Sequence, residues 1–190
     1  STRPPISPSA PLPRNRKFGD LDVSDPIAVA LQEMGYEQPT PIQIRVIPAL
    51  LNGKDVVGQA QTGTGKTAAF GIPLAESIDT LKAEVQGLVL TPTRELAVQV
   101  TAELGRIGLN RGIRVVAIYG GQNIDRQIRD LRHGAHIVVG TPGRMLDHLG
   151  RGTLNLRTVN IAILDEADEM LDIGFADAIE EILRRVPDSR

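Results

Sequence analysis

The sequence predicts an α/β protein, a mostly parallel sheet with helices packed on both faces. Three observations predict it. Five short runs are apolar on both faces, the pattern of strands buried on both sides. Amphipathic stretches of about three turns separate them. The first run leads through a glycine-rich turn directly into a helical period, as the units of a parallel sheet do. Composition agrees: 41% of the 190 residues are hydrophobic but only 3% are aromatic. Aliphatic side chains suit a helix-covered sheet better than a β-sandwich. This length suits one domain that buries roughly two-thirds of its unfolded surface.

Taken in order, residues 1–17 come first. They are rich in Pro and Ser and have no apolar period. They read either as a disordered, polyproline-like extension or as a basic arm that tethers RNA. Arg3, Arg14, Arg16 and Lys17 stand there without an acid, so a chain of net charge −2 leaves residues 18–190 at −6. An acidic body of that kind does not hold nucleic acid by bulk charge, and any such contact must be local.

From Phe18 onward the domain begins. "DVVGQA" (55–60), "GLVLT" (87–91), "RVVAIY" (114–119), "HIVVG" (136–140) and "NIAIL" (160–164) are the expected strands. Among the helices, residues 175–186 give the clearest stripe, with Phe175, Ile179, Ile182, Leu183 and Val186 on one face. Glu180 with Arg184 and Glu181 with Arg185 pair on the other face. No repeat recurs at a fixed period. There is no cysteine, hence no disulfide and no thiolate metal site. No run approaches the roughly 18 apolar residues of a membrane span. A cytoplasmic protein with no membrane partner and no structural metal is expected.

"AQTGTGKT" (60–67) follows an expected strand and opens an expected helix, the context a phosphate-binding loop requires. Gly63 and Gly65 let backbone N–H groups close around an anion, because no Cβ blocks the approach. The helix N-terminus adds its partial positive charge. Lys66 is placed to reach the β- and γ-phosphates and Thr67 to ligate Mg²⁺. Ala60 departs from the general pattern, which opens on Gly. The plain alternative is a glycine-rich turn with a surface lysine.

"IAILDEAD" (161–168) ends a buried run on Asp165 and Glu166. In a parallel sheet ligands gather at the carboxyl ends of strands, so Asp165 is expected near the cradle, holding Mg²⁺ directly or through water. Glu166 then sits where it orients and deprotonates the water that attacks the γ-phosphate. The plain alternative is an acid cluster at a helix start.

"GYEQPTPIQ" (35–43) can be read two ways. Gly35 stops one helix, Thr40 caps the next, Pro41 takes its first position and Gln43 completes a capping box. Alternatively, Gln43 is a ligand contact. "TPTRELA" (91–97) and "GTPGR" (140–144) each follow a strand and carry a hydroxyl, a Pro and an Arg just before a helix. Aligned along one rim they would offer successive phosphates Arg94, Arg144 and helix N-termini. As isolated segments they are equally ordinary βα turns, and "YGGQN" (119–123) is equally a plain turn. Arg126, Arg129 and Arg132 alternate with acids and read as a solvated face. His133, His136 and His148 lack other ligand residues beside them. Met170, Leu171 and Phe175 are expected to pack.

Together these segments resemble the DEAD-box RNA helicases. Residues 35–43, with Phe18 seventeen positions before Gly35, look like the Q motif. "AQTGTGKT" is similar to motif I, with Ala60 its usual residue. "PTRELA" (92–97) is similar to motif Ia, Gly120 and Gly121 to the glycine doublet, "TPGR" (141–144) to motif Ib and "DEAD" (165–168) to motif II. The resemblance spans Phe18 to the end and is closest in style to the bacterial cold-shock and ribosome-assembly group.

The resemblance implies a RecA-like P-loop NTPase, a three-layer sandwich over 18–190, that uses ATP and Mg²⁺. Gln43 would read the adenine edge and Phe18 stack on the base. Ala60, Gln61, Thr62, Gly63, Thr64, Gly65, Lys66 and Thr67 would hold the phosphates. Lys66, Asp165 and Glu166 would be catalytic, with Thr67 and Asp165 at the metal, partly through water. Pro92, Arg94, Gly120, Gly121, Thr141, Gly143 and Arg144 would track an RNA backbone without reading its sequence. Asp168 would couple to a second RecA-like domain. The family's third motif, Ser-Ala-Thr, is expected beyond Arg190, so this chain is expected to be the amino-terminal portion of a helicase, nearly inactive alone. Two rivals fit the cradle by itself, an ATPase that does not use RNA and a nucleotide-binding module without catalysis.

Overall fold

Parallel pairing builds the main sheet. The computed structural model of the chain describes residues 16–18, 21–35 and 66–187. A short antiparallel pair, β1 (Arg16–Phe18) and β2 (Leu21–Val23), comes first, with Phe18 opposite Leu21. The sheet itself contains β3 (Gly87–Leu90), β4 (Val115–Ile118), β5 (Ile137–Gly140) and β6 (Ile161–Leu164), in the spatial order β4-β5-β3-β6. All neighbours run parallel, with Leu88 facing Val138 on one side and Ala162 on the other. Each of these strands falls inside a run expected from sequence. The fifth run, 55–60, lies outside the described residues.

Burial explains the apolar runs. Every residue of β3 and β5, the two central strands, is buried, whereas β4 at the edge alternates between half-buried and buried. Period-two alternation sorts the side chains into two cores. On one face Val89, Ile137, Val139 and Ile163 meet α1 (Asp25–Glu33), α2 (Lys66–Ser77) and α3 (Arg94–Gly108). On the other, Leu88, Leu90, Val116, Ile118 and Val138 meet α5 (Pro142–Arg151), α6 (Ala167–Ile173) and α7 (Ala176–Arg184). α4 (Ile124–Arg132) follows edge strand β4, and Gln127 is its buried residue. These layers make the three-layer α/β arrangement. No helix among the described residues is long and apolar enough to cross a membrane.

Local chemistry sets the ends of these helices. α1 stops before Gly35, which takes φ +84° as the sequence implied. Ser24 does not cap α1 with its own side chain; its N–H and hydroxyl both donate to Glu76 Oε1, at 2.8 and 2.7 Å, and so tie α1 to α2. Arg111 closes the far end of α2 by donating to the carbonyls of Ala75 and Ile78. Carbonyls there have no intrahelical partner, and a guanidinium also suits the negative end of the helix. α2 runs through Pro73, although proline removes one intrahelical hydrogen bond. Ala68, Ile72, Leu74 and Ala75 are buried around it, and that packing outweighs the lost bond.

Two expectations need correction or refinement, and β1 is an element the sequence did not suggest, taking in Arg16 and Lys17. Leu171, expected to pack, is 58% exposed, because the seven-residue α6 turns only Met170 into the core. Phe175 is half-buried and precedes α7 rather than lying within it. On α7, Ile179 and Ile182 are buried as expected. Its outer face carries Arg184–Glu180 at 2.8 Å and Arg185–Glu181 at 3.6 Å. Arg126, Arg129 and Arg132 are exposed.

Candidate active site and nucleic-acid rim

The carboxyl ends of the four strands form one rim, and the residue after each of three strands extends the ladder by one bond. Thr91 N–H donates to Gly140 O at 2.9 Å, Thr141 N–H to Ile118 O at 3.0 Å, and Asp165 N–H to Leu90 O at 2.9 Å. The three loops that carry the sequence motifs are therefore held in register with the sheet. Gly140 makes this closeness possible. A Cβ there would lie 2.3 Å from Ile118 O and 3.0 Å from Met145 Cε.

At the β6 end stand the acids. Asp165 is 3% exposed and remains in the ladder. Glu166 follows with φ +57° and ψ +49°, the only left-handed non-glycine residue among those described. For an L-residue that conformation costs about 1–2 kcal/mol, and such residues concentrate where geometry serves chemistry. The turn at Glu166 lets α6 start at once, with Met170 N–H bonded to Glu166 O at 3.1 Å. Asp168 is exposed in the first turn of α6.

The start of α2 reaches the same corner. Lys66 is its first residue and Thr67 its second. The Thr67 hydroxyl donates to the Glu103 carboxylate on α3, and Glu103 in turn feels the negative charge of Asp165. Burial, the largest influence, raises the Glu103 pKa, while the Thr67 bond opposes the rise. Thr67 and Glu103 are thus joined by a hydrogen bond, within reach of the charge of Asp165. Among the described residues no group of three or more His, Cys, Asp or Glu could hold a metal alone. A small hard cation that keeps water and phosphate oxygens as its other ligands, as Mg²⁺ does, fits so sparse a donor set. The sequence reading missed Glu103. Its only signal was an acid abutting the apolar stripe of Ala97, Val100, Leu104 and Ile107.

Away from the acids the rim is basic. Arg94, exposed at the first position of α3, sits over the Tyr119 ring at 5.2 Å. Its Nη1 lies 3.4 Å from where a Cβ of Gly121 would be, and Gly121 turns the loop with φ +82°. Arg144 on α5 donates from Nη1 to Gln122 O at 3.0 Å. Segments 92–97, 120–121 and 141–144, distant in sequence, therefore interlock. Gly120, Gly121 and Gly143 are exposed. Thr93 caps α3 by accepting from Leu96 N–H at 3.2 Å, whereas the Thr141 hydroxyl makes no cap bond. Pro92 is buried at the start of the same segment. Phe18 is the last residue of β1. Gln43 and the loop residues Ala60, Gln61, Thr62, Gly63, Thr64 and Gly65 lie outside the described residues.

Comparison with known proteins gives the same arrangement a context. A family model described as "DEAD/DEAH box helicase" matches residues 40–190. The chain is 56% identical over 172 residues to the DEAD-box ATP-dependent RNA helicase CshA of Bacillus cereus, covering 90% of this chain and 33% of that protein. To CshA of Geobacillus kaustophilus it is 55% identical over 173 residues, covering 91% of this chain and 37% of that protein. A crystal structure of a DEAD box protein from Methanococcus jannaschii superposes with a TM-score of 0.83 at 49% identity, over 88% of this chain and 46% of that one. A hypothetical ATP-dependent RNA helicase from Sulfolobus tokodaii gives 0.77 at 43% identity, over 85% and 46%. The chain spans about a third of the length of the curated relatives it matches.

Proposed function

The chain belongs to the DEAD/DEAH box helicase family, and from that premise we propose that it is the RecA-like part of an RNA helicase that binds ATP and the backbone of single-stranded RNA. The observation that carries the reading is the rim itself. At one place Glu103 bonds Thr67 of α2 and feels the charge of Asp165, and at another Arg94, Gly121 and Arg144 interlock. An ATP site and a nucleic-acid track on one rigid sheet edge are what coupling the two requires.

In this reading residues 60–67 cradle the triphosphate, with Gln43 and Phe18 at the adenine. Lys66 neutralises charge on the β- and γ-phosphates. Thr67 and Asp165 would hold Mg²⁺, partly through water, and the ion would neutralise charge on the same phosphates. Glu166 takes a proton from the attacking water, and its left-handed backbone sets the direction in which that side chain leaves the strand end. Arg94, Thr141, Gly143 and Arg144 meet phosphates and sugars, contacts that read no base sequence. Asp168, exposed in the first turn of α6, faces a second RecA-like domain of the same protein. The activity of the whole protein is then RNA-dependent ATP hydrolysis coupled to local strand separation. Its place of action is the cytoplasm.

ATPase assays on the intact protein that carries this chain test the reading. RNA should stimulate turnover, and Glu166→Gln should lower kcat at least about a hundredfold with nucleotide affinity retained. A rate indifferent to RNA would instead favour an ATPase that works on something else.

A further inference from the structure

Behind the rim lies a buried polar cluster that the proposed chemistry does not use. Gln127 of α4 and His148 of α5 are both 0% exposed. The Gln127 amide nitrogen donates to Tyr119 O at 2.8 Å and to Gln122 Oε1 at 2.9 Å. Its oxygen accepts from Arg144 Nη1 at 3.3 Å and lies 2.9 Å from His148 Nε2. Both amide protons and both acceptor sites are engaged. Turning the amide over would set its N–H groups against the guanidinium and its oxygen against the Tyr119 carbonyl, so only one orientation serves.

That orientation dictates the state of the imidazole. Nε2 must carry the proton to meet the Gln127 oxygen, and in a neutral ring Nδ1, 2.7 Å from Thr153 Oγ1, then accepts the hydroxyl proton in preference to the His148 carbonyl oxygen 3.2 Å away. Burial first, then the charge of Arg144, lower the His148 pKa and keep the ring neutral. Arg144 completes the circuit, since its Nη1 also reaches Gln122 O at 3.0 Å.

We propose that Gln127 and His148 are positioning residues of the nucleic-acid rim: Gln127 clamps the loop of Gly120 and Gly121 to Arg144, and His148 holds Gln127 in its single competent orientation. Neither side chain can touch a ligand. They act through Tyr119, Gln122 and Arg144, which lie at the surface of the rim or just beneath it. The inference rests on the rim being the RNA contact proposed above.

The test is the binding of labelled single-stranded RNA of mixed sequence to the intact protein that carries this chain, read by fluorescence anisotropy alongside ATP affinity. Gln127→Leu and His148→Leu should weaken RNA binding about tenfold, the order of a misplaced arginine contact, and leave ATP affinity unchanged. His148→Gln, which returns an N–H near the place of Nε2, should recover most of the loss. Leu31→Ala, a core change on the opposite face of the sheet, should lower the melting temperature without moving RNA affinity. If Arg144→Ala weakens RNA binding but Gln127→Leu does not, the positioning role is wrong and the rim stands. If Arg94→Ala and Arg144→Ala both bind RNA normally, the rim reading fails and takes this inference with it. Should Gln127→Leu not fold, nitrogen-15 spectra of the unaltered ring decide, with a protonated Nδ1 and bare Nε2 overturning the network.

Discussion

Thr67 donates its hydroxyl proton to Glu103, joining the second residue of α2 to a carboxylate more than two turns into α3. A hydroxyl whose proton is committed to an acid keeps its oxygen lone pairs for a cation. Glu103→Gln keeps the shape and replaces the anionic acceptor with a neutral amide. It is expected to weaken Mg²⁺–nucleotide binding about tenfold, the lower range for a residue that orients a metal ligand. Titration calorimetry with and without Mg²⁺ checks it. Equal affinity loss in both conditions would mean that Glu103 shapes the pocket rather than the hydroxyl.

Gly140 is where the sheet leaves no room. Its missing Cβ would meet Ile118 O at 2.3 Å, and backbone, unlike a flexible side chain, cannot move aside cheaply. Gly140→Ala should destabilise the fold by about 1–3 kcal/mol through overpacking. It should also loosen the Thr141 N–H bond to Ile118 O, so RNA affinity falls with it. Urea denaturation and RNA binding on the same sample measure the two effects. A melting temperature equal to wild type would show that the two strands can separate there without cost.

His136 makes folding stability depend on pH. It is 6% exposed, and its Nδ1 accepts from Arg114 N–H at 2.9 Å, so the folded ring is held neutral. Burial first, then Arg114, depress its pKa below the ordinary 6.5. A histidine with a depressed native pKa stabilises fully above its unfolded value, and that contribution is lost as the pH falls below it toward the native value. His148 acts in the same direction. Melting temperature should fall between pH 7.5 and pH 5.5, and His136→Asn should flatten that slope. An unchanged slope in the variant would assign the pH dependence to other groups.

What the sequence disclosed, and what it did not, divides along one physical line. Strand-forming runs at 87–91, 114–119, 136–140 and 160–164 were legible because apolar residues fill both faces of the strands within them and polar residues fall at their ends. Spatial order was not legible. Nothing local says that β3 lies between β5 and β6, and so puts the loop of Arg94 next to Asp165. Gln127 and Glu103 were overlooked, and His148 was weighed only as a metal ligand, for a related reason. Periodicity examines one helix at a time, and a polar residue on a helix reads as solvated until another element covers it. Leu171 failed in the opposite sense, an apolar residue on a helix too short to bury it. The β1–β2 pair was missed because Arg16 and Lys17 continue a basic, proline-rich run, although the Gly-Asp between Phe18 and Leu21 is a hairpin signal.

The ladder bonds of Thr91 and Thr141 fix more than their own loops. Adjacent strands stand about 4.8 Å apart, so the ends of β4, β5 and β3 span only about 10 Å. A polymer laid across them meets a ruler with rigid graduations, since widening any interval would mean unzipping the sheet. Whatever travels along that edge is gripped over a few units at once, and longer reach has to come from somewhere other than stretching this surface.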